Sequence, residues 1–224
     1  MIRTLAGTLR ALGGRVLREK PSLEEVPPTD MHAVLRGHSQ SIVDLIDEPE
    51  KTALLLWQLG EVMRDLTEAL WERVPLFHGG YFDAQYSLWS PGPIIRMQED
   101  ATAVYSPGLY RKLVQPVDRM LARHFECSFM HLHSTSMFLL DAFLEIEELR
   151  CFEVNNDASG PPIKEMVPHF QRIQQAHRVL VVRGSFAPDE LGLLVDSLRP
   201  EGLLLLIMVR DMHEIDVARS IVGM

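Results

Sequence analysis

Two histidines stand two positions apart where an apolar run ends, in Phe129-Met130-His131-Leu132-His133-Ser134-Thr135-Ser136. In an extended strand, side chains at i and i+2 share a face, so both imidazoles converge on one spot. Imidazole is a ligand for zinc and similar metals, and it is the acid or base that titrates nearest neutral pH. The pair therefore reads as a metal or acid–base site. The competing reading is that both rings line an interior and are satisfied by hydrogen bonds, or that one of them faces solvent.

Further candidates close the neighbouring apolar runs. Glu153 and Asn155 share a face by alternation, and an enclosed carboxylate must be paired, hydrogen-bonded or protonated. Glu153 is thus a candidate general acid, base or ligand, and Asn155 a candidate substrate contact. Asn156 and Asp157 read as turn residues ahead of Ser159-Gly160-Pro161-Pro162. Arg183 ends Val179-Leu180-Val181-Val182 and precedes Gly184, which permits close backbone approach. Its guanidinium grips a substrate carboxylate in bidentate fashion or pairs with Glu153. Glu99 and Asp100 face opposite ways, so at most one enters a cavity, and Asp100 is counted among the substrate-binding candidates. Ser134, Thr135 and Ser136 are expected to cap a following helix, with Ser134 also able to meet an anionic ligand at that helix's N-terminus. His169 and His177 fall on a surface helix, and Trp57 and Trp71 read as packing residues.

What positions these residues is an alternation of short apolar runs with longer amphipathic segments. The runs are 94–98, 127–133, 151–155, 179–183 and 203–209; the helices are expected at 107–124, 137–147, 163–176, 188–198 and 212–222. Strand–helix alternation with short connections implies a parallel sheet covered by helices. The C-terminal ends of such strands open onto the ligand-facing side, which is where the histidine pair falls. Ahead of residue 94 the pattern offers helices and no convincing strand. The acidic start and proline of Asp47-Glu48-Pro49 open a helix in which Leu55, Leu59, Val62, Met63, Leu66 and Leu70 recur at helical spacing to about Arg73. A complete (β/α)8 TIM barrel takes about 250 residues. The predicted fold is therefore α/β of TIM-barrel type, incomplete, with five C-terminal βα units preceded by helices and the first three strands lacking.

Composition narrows the function classes. With 46% hydrophobic and 24% charged residues in a chain of 224, one substantial core is expected. A formal charge of -9 excludes a phosphate-backbone partner, which requires a basic stripe. The longest apolar run, 203–209, falls far short of the ~20 residues that span a bilayer. Cys127 and Cys151, the only cysteines, are too few for a disulfide framework; they read as buried small hydrophobes in a reducing, cytoplasmic setting. Residues 1–28 form a separate segment. Within its first twenty residues Arg3, Arg10, Arg15, Arg18 and Lys20 face a single acid, Glu19, and glycines weaken helicity, so a loosely ordered leader is preferred to a targeting segment. Residues 29–224 form the folded domain.

The order of these units resembles the uroporphyrinogen decarboxylase superfamily, which also contains the methylcobalamin:coenzyme M methyltransferases. The resemblance covers about residues 29–222. It rests on Asp30-Met31-His32-Ala33-Val34-Leu35-Arg36-Gly37 with Leu45-Ile46-Asp47-Glu48-Pro49-Glu50, similar to the family's helix pair. It rests also on Gln98-Glu99-Asp100, then Tyr105-Ser106-Pro107-Gly108-Leu109-Tyr110 and Val114-Gln115-Pro116, similar to its acidic strand end and Ser-Pro helix start. The methyltransferase branch reads His-x-Cys-Gly where this chain has His131-Leu132-His133-Ser134, and there the His and Cys hold a zinc that activates the acceptor thiol.

The resemblance implies zinc at His131 and His133, a corrinoid as methyl donor, a small-molecule substrate and a corrinoid protein as partner. The family's late cysteine ligand has no counterpart in Leu206-Ile207-Met208-Val209-Arg210, so Glu153 is the expected third ligand. The decarboxylase branch implies instead a carboxy-lyase acting on a tetrapyrrole or another carboxylate, with Arg183 orienting the substrate and a histidine supplying a proton; its N-terminal arginine motif is absent here. A rival outside enzymology is a truncated, non-catalytic fragment whose open sheet edges pair with a partner chain or with themselves.

Overall fold

The computed structural model describes residues 27–223, together with the backbone of a short strand at Arg3–Thr4. The expected basic leader otherwise lies outside the described residues up to position 26. In chain order the elements are β1 (Arg3–Thr4), helices α1 (Pro28–Arg36), α2 (His38–Asp47) and α3 (Pro49–Trp71), and short strands β2 (Tyr81–Asp83) and β3 (Leu88–Ser90). Strand–helix units follow. β4 (Ile94–Gln98) leads to α4 (Pro107–Leu109) and α5 (Gln115–His124), and β5 (Cys127–His133) leads to α6 (Leu140–Leu144). β6 (Cys151–Asn155) precedes α7 (Ile163–Gln175), β7 (Val179–Gly184) precedes α8 (Pro188–Ser197), and β8 (Leu203–Ile207) precedes α9 (Met212–Val222).

The last five strands form one parallel sheet in the order β4-β5-β6-β7-β8, each pairing with its sequence neighbour. The protein is thus α/β, with a parallel sheet flanked by helices. Alternation sorts the strand residues. Met130, Leu132, Phe152, Val154, Leu180 and Val182 join the helices in the main core. Phe129, Cys151 and Val181 point the other way and meet Tyr86 and Leu88 of the β2–β3 hairpin in a second, smaller core. Among the described residues, no helix is long and apolar enough to cross a membrane.

The hairpin corrects the expectation that no strand precedes residue 94. β3 pairs antiparallel with both β2 and β1. Its strands are three residues long, too short for alternation to declare itself. Its turn is set by Asp83, whose Oδ1 accepts from the Tyr86 backbone N–H at 3.0 Å, rather than by an Asn-Gly pair.

Two helices also differ from expectation. The segment expected as one helix over 107–124 contains a π turn at Tyr110–Val114. Pro116 lacks an N–H and crowds the carbonyl four residues earlier, and a wider turn relieves both. Ser106 caps its start, accepting from Leu109 N–H at 3.2 Å. The helix expected over 137–147 is a 3₁₀ turn, Ser134–Leu139, followed by only five α residues. Ser134, Thr135 and Ser136 supply no side-chain cap there, because Ser134 is drawn into a different contact described below.

Candidate functional site

Parallel register carries the candidate residues into two rows at the C-terminal ends of the strands. Gln98, His131 and Glu153 lie side by side on β4, β5 and β6. His133, Asn155 and Arg183 form the next row on β5, β6 and β7. Both rows share the parity of Phe129, Cys151 and Val181, so they stand on the hairpin side of the sheet. The two imidazoles converge as expected, with ring centroids 4.9 Å apart and planes at 78°.

Each ring is held from behind by a carboxylate. His131 Nδ1 contacts the carboxylate of Glu153, which is fully buried and also accepts from Arg183 Nε at 2.9 Å. His133 Nδ1 lies 2.8 Å from Asp157 Oδ1. A carboxylate accepts only, so Nδ1 carries the proton in both rings and Nε2 is the nitrogen left for a ligand. His133 Nε2 faces Asp100 Oδ1 at 3.7 Å. Asp100, His131 and His133 each place a ligand atom within 4.8 Å of the other two. The carboxylate grouped with the pair is Asp100, two residues past the end of β4, whereas Glu153, expected as the third ligand, is engaged by His131 Nδ1 and Arg183 Nε. Asp100 and His133 are partly open to solvent, while His131 is buried.

Asp157, read from sequence as a turn residue, anchors this corner. Its Oδ2 accepts from Ser134 N–H at 2.9 Å and from Ser134 Oγ at 3.0 Å, and its Oδ1 also accepts from Asn155 Nδ2 at 2.5 Å. Burial pushes the carboxyl up, but the hydrogen bonds from His133, Asn155 and Ser134 outweigh it and hold the group below the ordinary aspartate value. Gly160 lets the loop close over Ser134, since a Cβ there would fall 2.1 Å from Ser134 Oγ. Gly184 permits close approach as expected, its absent Cβ lying 2.7 Å from Asn156 Cβ.

Tyr86 is the second residue that the sequence did not single out. Its hydroxyl lies 3.3 Å from His131 Nδ1, and the Arg183 and Arg96 guanidiniums stand 5.5 and 5.8 Å from its ring centroid. Burial, aided by the Glu153 charge, pushes the phenol up to about 12 despite both arginines, so it stays neutral. No local pattern could have marked it, because the hairpin brings it to a histidine 45 positions away.

Glu99 faces away from this site, toward α1 and α5. There the Thr29 hydroxyl donates to Glu99 Oε2, and the Tyr110 hydroxyl donates to Asp118 Oδ2 at 2.5 Å. His177 is exposed and His169 half-buried on α7 and its end, Trp71 is buried and Trp57 exposed. Both cysteines are buried and free, and burial pushes their thiols up, which suits packing rather than nucleophilic chemistry. Compared with known protein families, with curated proteins and with solved structures, the chain matches none.

Proposed function

We propose that the chain is the C-terminal part of a barrel of the uroporphyrinogen decarboxylase superfamily, nearer the methyltransferase branch. In this reading a divalent cation sits at Asp100, His131 and His133. The sequential strand order supports the barrel-type reading, since a doubly wound sheet reverses its order at a switch point and this one does not.

The observation that carries the metal reading is the second layer of contacts. A metal-ligating histidine as a rule donates its other N–H to a carboxylate or carbonyl, and here both do, to Glu153 and Asp157. Two imidazoles and one carboxylate are a donor set suited to zinc and other first-row divalent ions, with positions left open for substrate. Such an ion, when bound, supplies Lewis acidity that lowers the pKa of a coordinated thiol or water. The chain's own residues do the rest: Glu153 and Asp157 fix the ring tautomers, and buried His131 keeps one side of the site dry. Half-exposed His133 and Asp100 admit the acceptor. A thiol acceptor and a corrinoid methyl donor come from the resemblance alone, and no described residue is assigned to the corrinoid.

The decarboxylase-type alternative has less support. Arg183 already gives its Nε to Glu153 and stands over Tyr86, so only the remainder of its guanidinium is left to orient a substrate carboxylate.

Elemental analysis of the purified chain tests the proposal, alongside spectroscopy for bound corrinoid or tetrapyrrole. The parent is expected to hold near-stoichiometric zinc or a related ion, and His133→Ala and Asp100→Asn to lose it. Equal metal content in parent and variants removes the metal reading.

A further inference from the structure

We infer that Glu99 is a positioning residue for the metal site proposed above: gripped by Thr29 of α1, it holds the turn that aims Asp100 at the two histidines. Each histidine has a carboxylate behind it, whereas the contacts of the Asp100 side chain are loose. That side chain is 42% exposed, with Oδ1 3.7 Å from His133 Nε2 and Oδ2 3.4 Å from Gln98 Nε2. Contacts so long do little to restrict two side-chain torsions. With a cation at Asp100, His131 and His133, the aim of this carboxylate has to come from its backbone.

That backbone is held at Glu99. β4 ends at Gln98, and the chain leaves extended geometry at Glu99 (φ -135°, ψ 59°) to enter the 3₁₀ turn Asp100–Val104. Glu99 goes into the protein and is buried, while Asp100 goes out to the site. The Thr29 hydroxyl, fully buried, donates to Glu99 Oε2. Thr102, also buried, returns its backbone N–H at 3.0 Å and its hydroxyl to the Glu99 carbonyl. α1 packs directly against the turn.

Glu99 is therefore fixed at its side chain by a neighbouring helix and at its carbonyl by the turn it opens. The next residue inherits that placement, because one peptide plane separates the two. A buried acceptor that loses its donor has to find another, so removing the Thr29 hydroxyl shifts Glu99 and carries Asp100 with it. The fold thus supports all three members of the site, the histidines through their rings and the aspartate through its main chain.

Zinc affinity of the full chain in a chelator competition, together with the visible absorption of its cobalt-loaded form, tests this. Thr29→Val removes the hydroxyl and keeps the shape, and Thr102→Val takes the second hydroxyl from the Glu99 carbonyl. Neither touches a ligand position, and either one decides the matter if the other fails to fold. Each should weaken zinc binding by about tenfold or more, the order typical of supports behind metal ligands, and alter the cobalt spectrum. Thr29→Ser should restore both. Ile173→Val, which opens a small void in the core under α7, should leave both at parent values. Parent-like affinity and spectrum in the folded valine variants overturn the proposal and leave the metal reading standing, as does an equal loss in Ile173→Val. A parent that holds no ion removes the metal reading itself, and Glu99 then has no ligand to position.

Discussion

Replacing Asp157 by asparagine probes the site from behind, where the side chain touches no ligand position. Asp157 gives one oxygen to His133 Nδ1 and Asn155 and the other to Ser134. An amide can serve only one of those two sets of donors, so either His133 loses its orientation or Ser134 N–H loses its acceptor. Supports of this kind typically cost about 10–100-fold in metal affinity when removed. Asp157→Asn should weaken zinc binding by that order in a chelator competition, with unchanged far-UV circular dichroism. Parent-like affinity would show that His133 needs no such support and would weaken the case for a metal. At this scale the histidine pair was legible because strand alternation alone makes i and i+2 converge. Asp157 and Tyr86 were not, since a loop acid looks like turn chemistry until its partner is placed, and Tyr86 arrives through a hairpin.

Between elements, two glycines make opposite predictions from the same substitution. Gly60 sits in α3 where it crosses α5, and an added Cβ would come within 2.4 Å of Val117 Cγ1 and 3.2 Å of Met120 Cε. Alanine gains about 1 kcal/mol of helix propensity over glycine, but overpacking of this kind costs about 1–3 kcal/mol. Gly60→Ala should therefore lower the melting temperature by a few degrees. Gly192 sits in α8 with nothing within 4 Å of its absent Cβ, so Gly192→Ala should keep the propensity gain and raise the melting temperature. Thermal denaturation of both variants decides the matter, and a Gly60→Ala protein as stable as Gly192→Ala would mean that α3 and α5 do not pack as closely as described.

The sheet was the most legible part at this scale. β4, β5 and β6 have the bounds read from apolar runs, because parallel strands buried on both faces are continuous hydrophobic segments. The 3₁₀ turn after β5 was hidden because serine and threonine there serve tertiary contacts rather than helix caps, and the π turn was hidden because its cause, Pro116, reads equally well as a helix start.

For the molecule as a whole, the carboxyl pair Glu99 and Asp118 sets a pH dependence that the exposed charges do not. The pair is buried where α1, the end of β4 and α5 meet, joined by hydrogen bonds from Thr29 and Tyr110. Burial pushes Asp118 up to about 7, although the Tyr110 and Glu99 hydrogen bonds pull it down, and burial with repulsion from Asp118 drives Glu99 well above the ordinary glutamate range. In the unfolded chain an aspartate loses its proton near about 4. Between that pH and about 7 the folded state therefore holds a proton that the unfolded state has lost. Stability is greatest below the lower value and falls as pH rises through the window. Asp30, raised to about 6 by burial and by repulsion from Asp100, acts in the same direction. Asp157, Glu145 and Glu148 have depressed values, so their opposite contribution is spent at more acid pH; buried His32, lowered by desolvation, opposes the slope within the window, one group against the three raised carboxyls. Denaturant unfolding at a series of pH values should thus show declining stability from mildly acid to neutral conditions. Asp118→Asn, which keeps the shape and removes the titration, should give a flatter curve across the same range. A parent whose stability rises with pH there, or an asparagine variant that keeps the full slope, would locate the proton elsewhere.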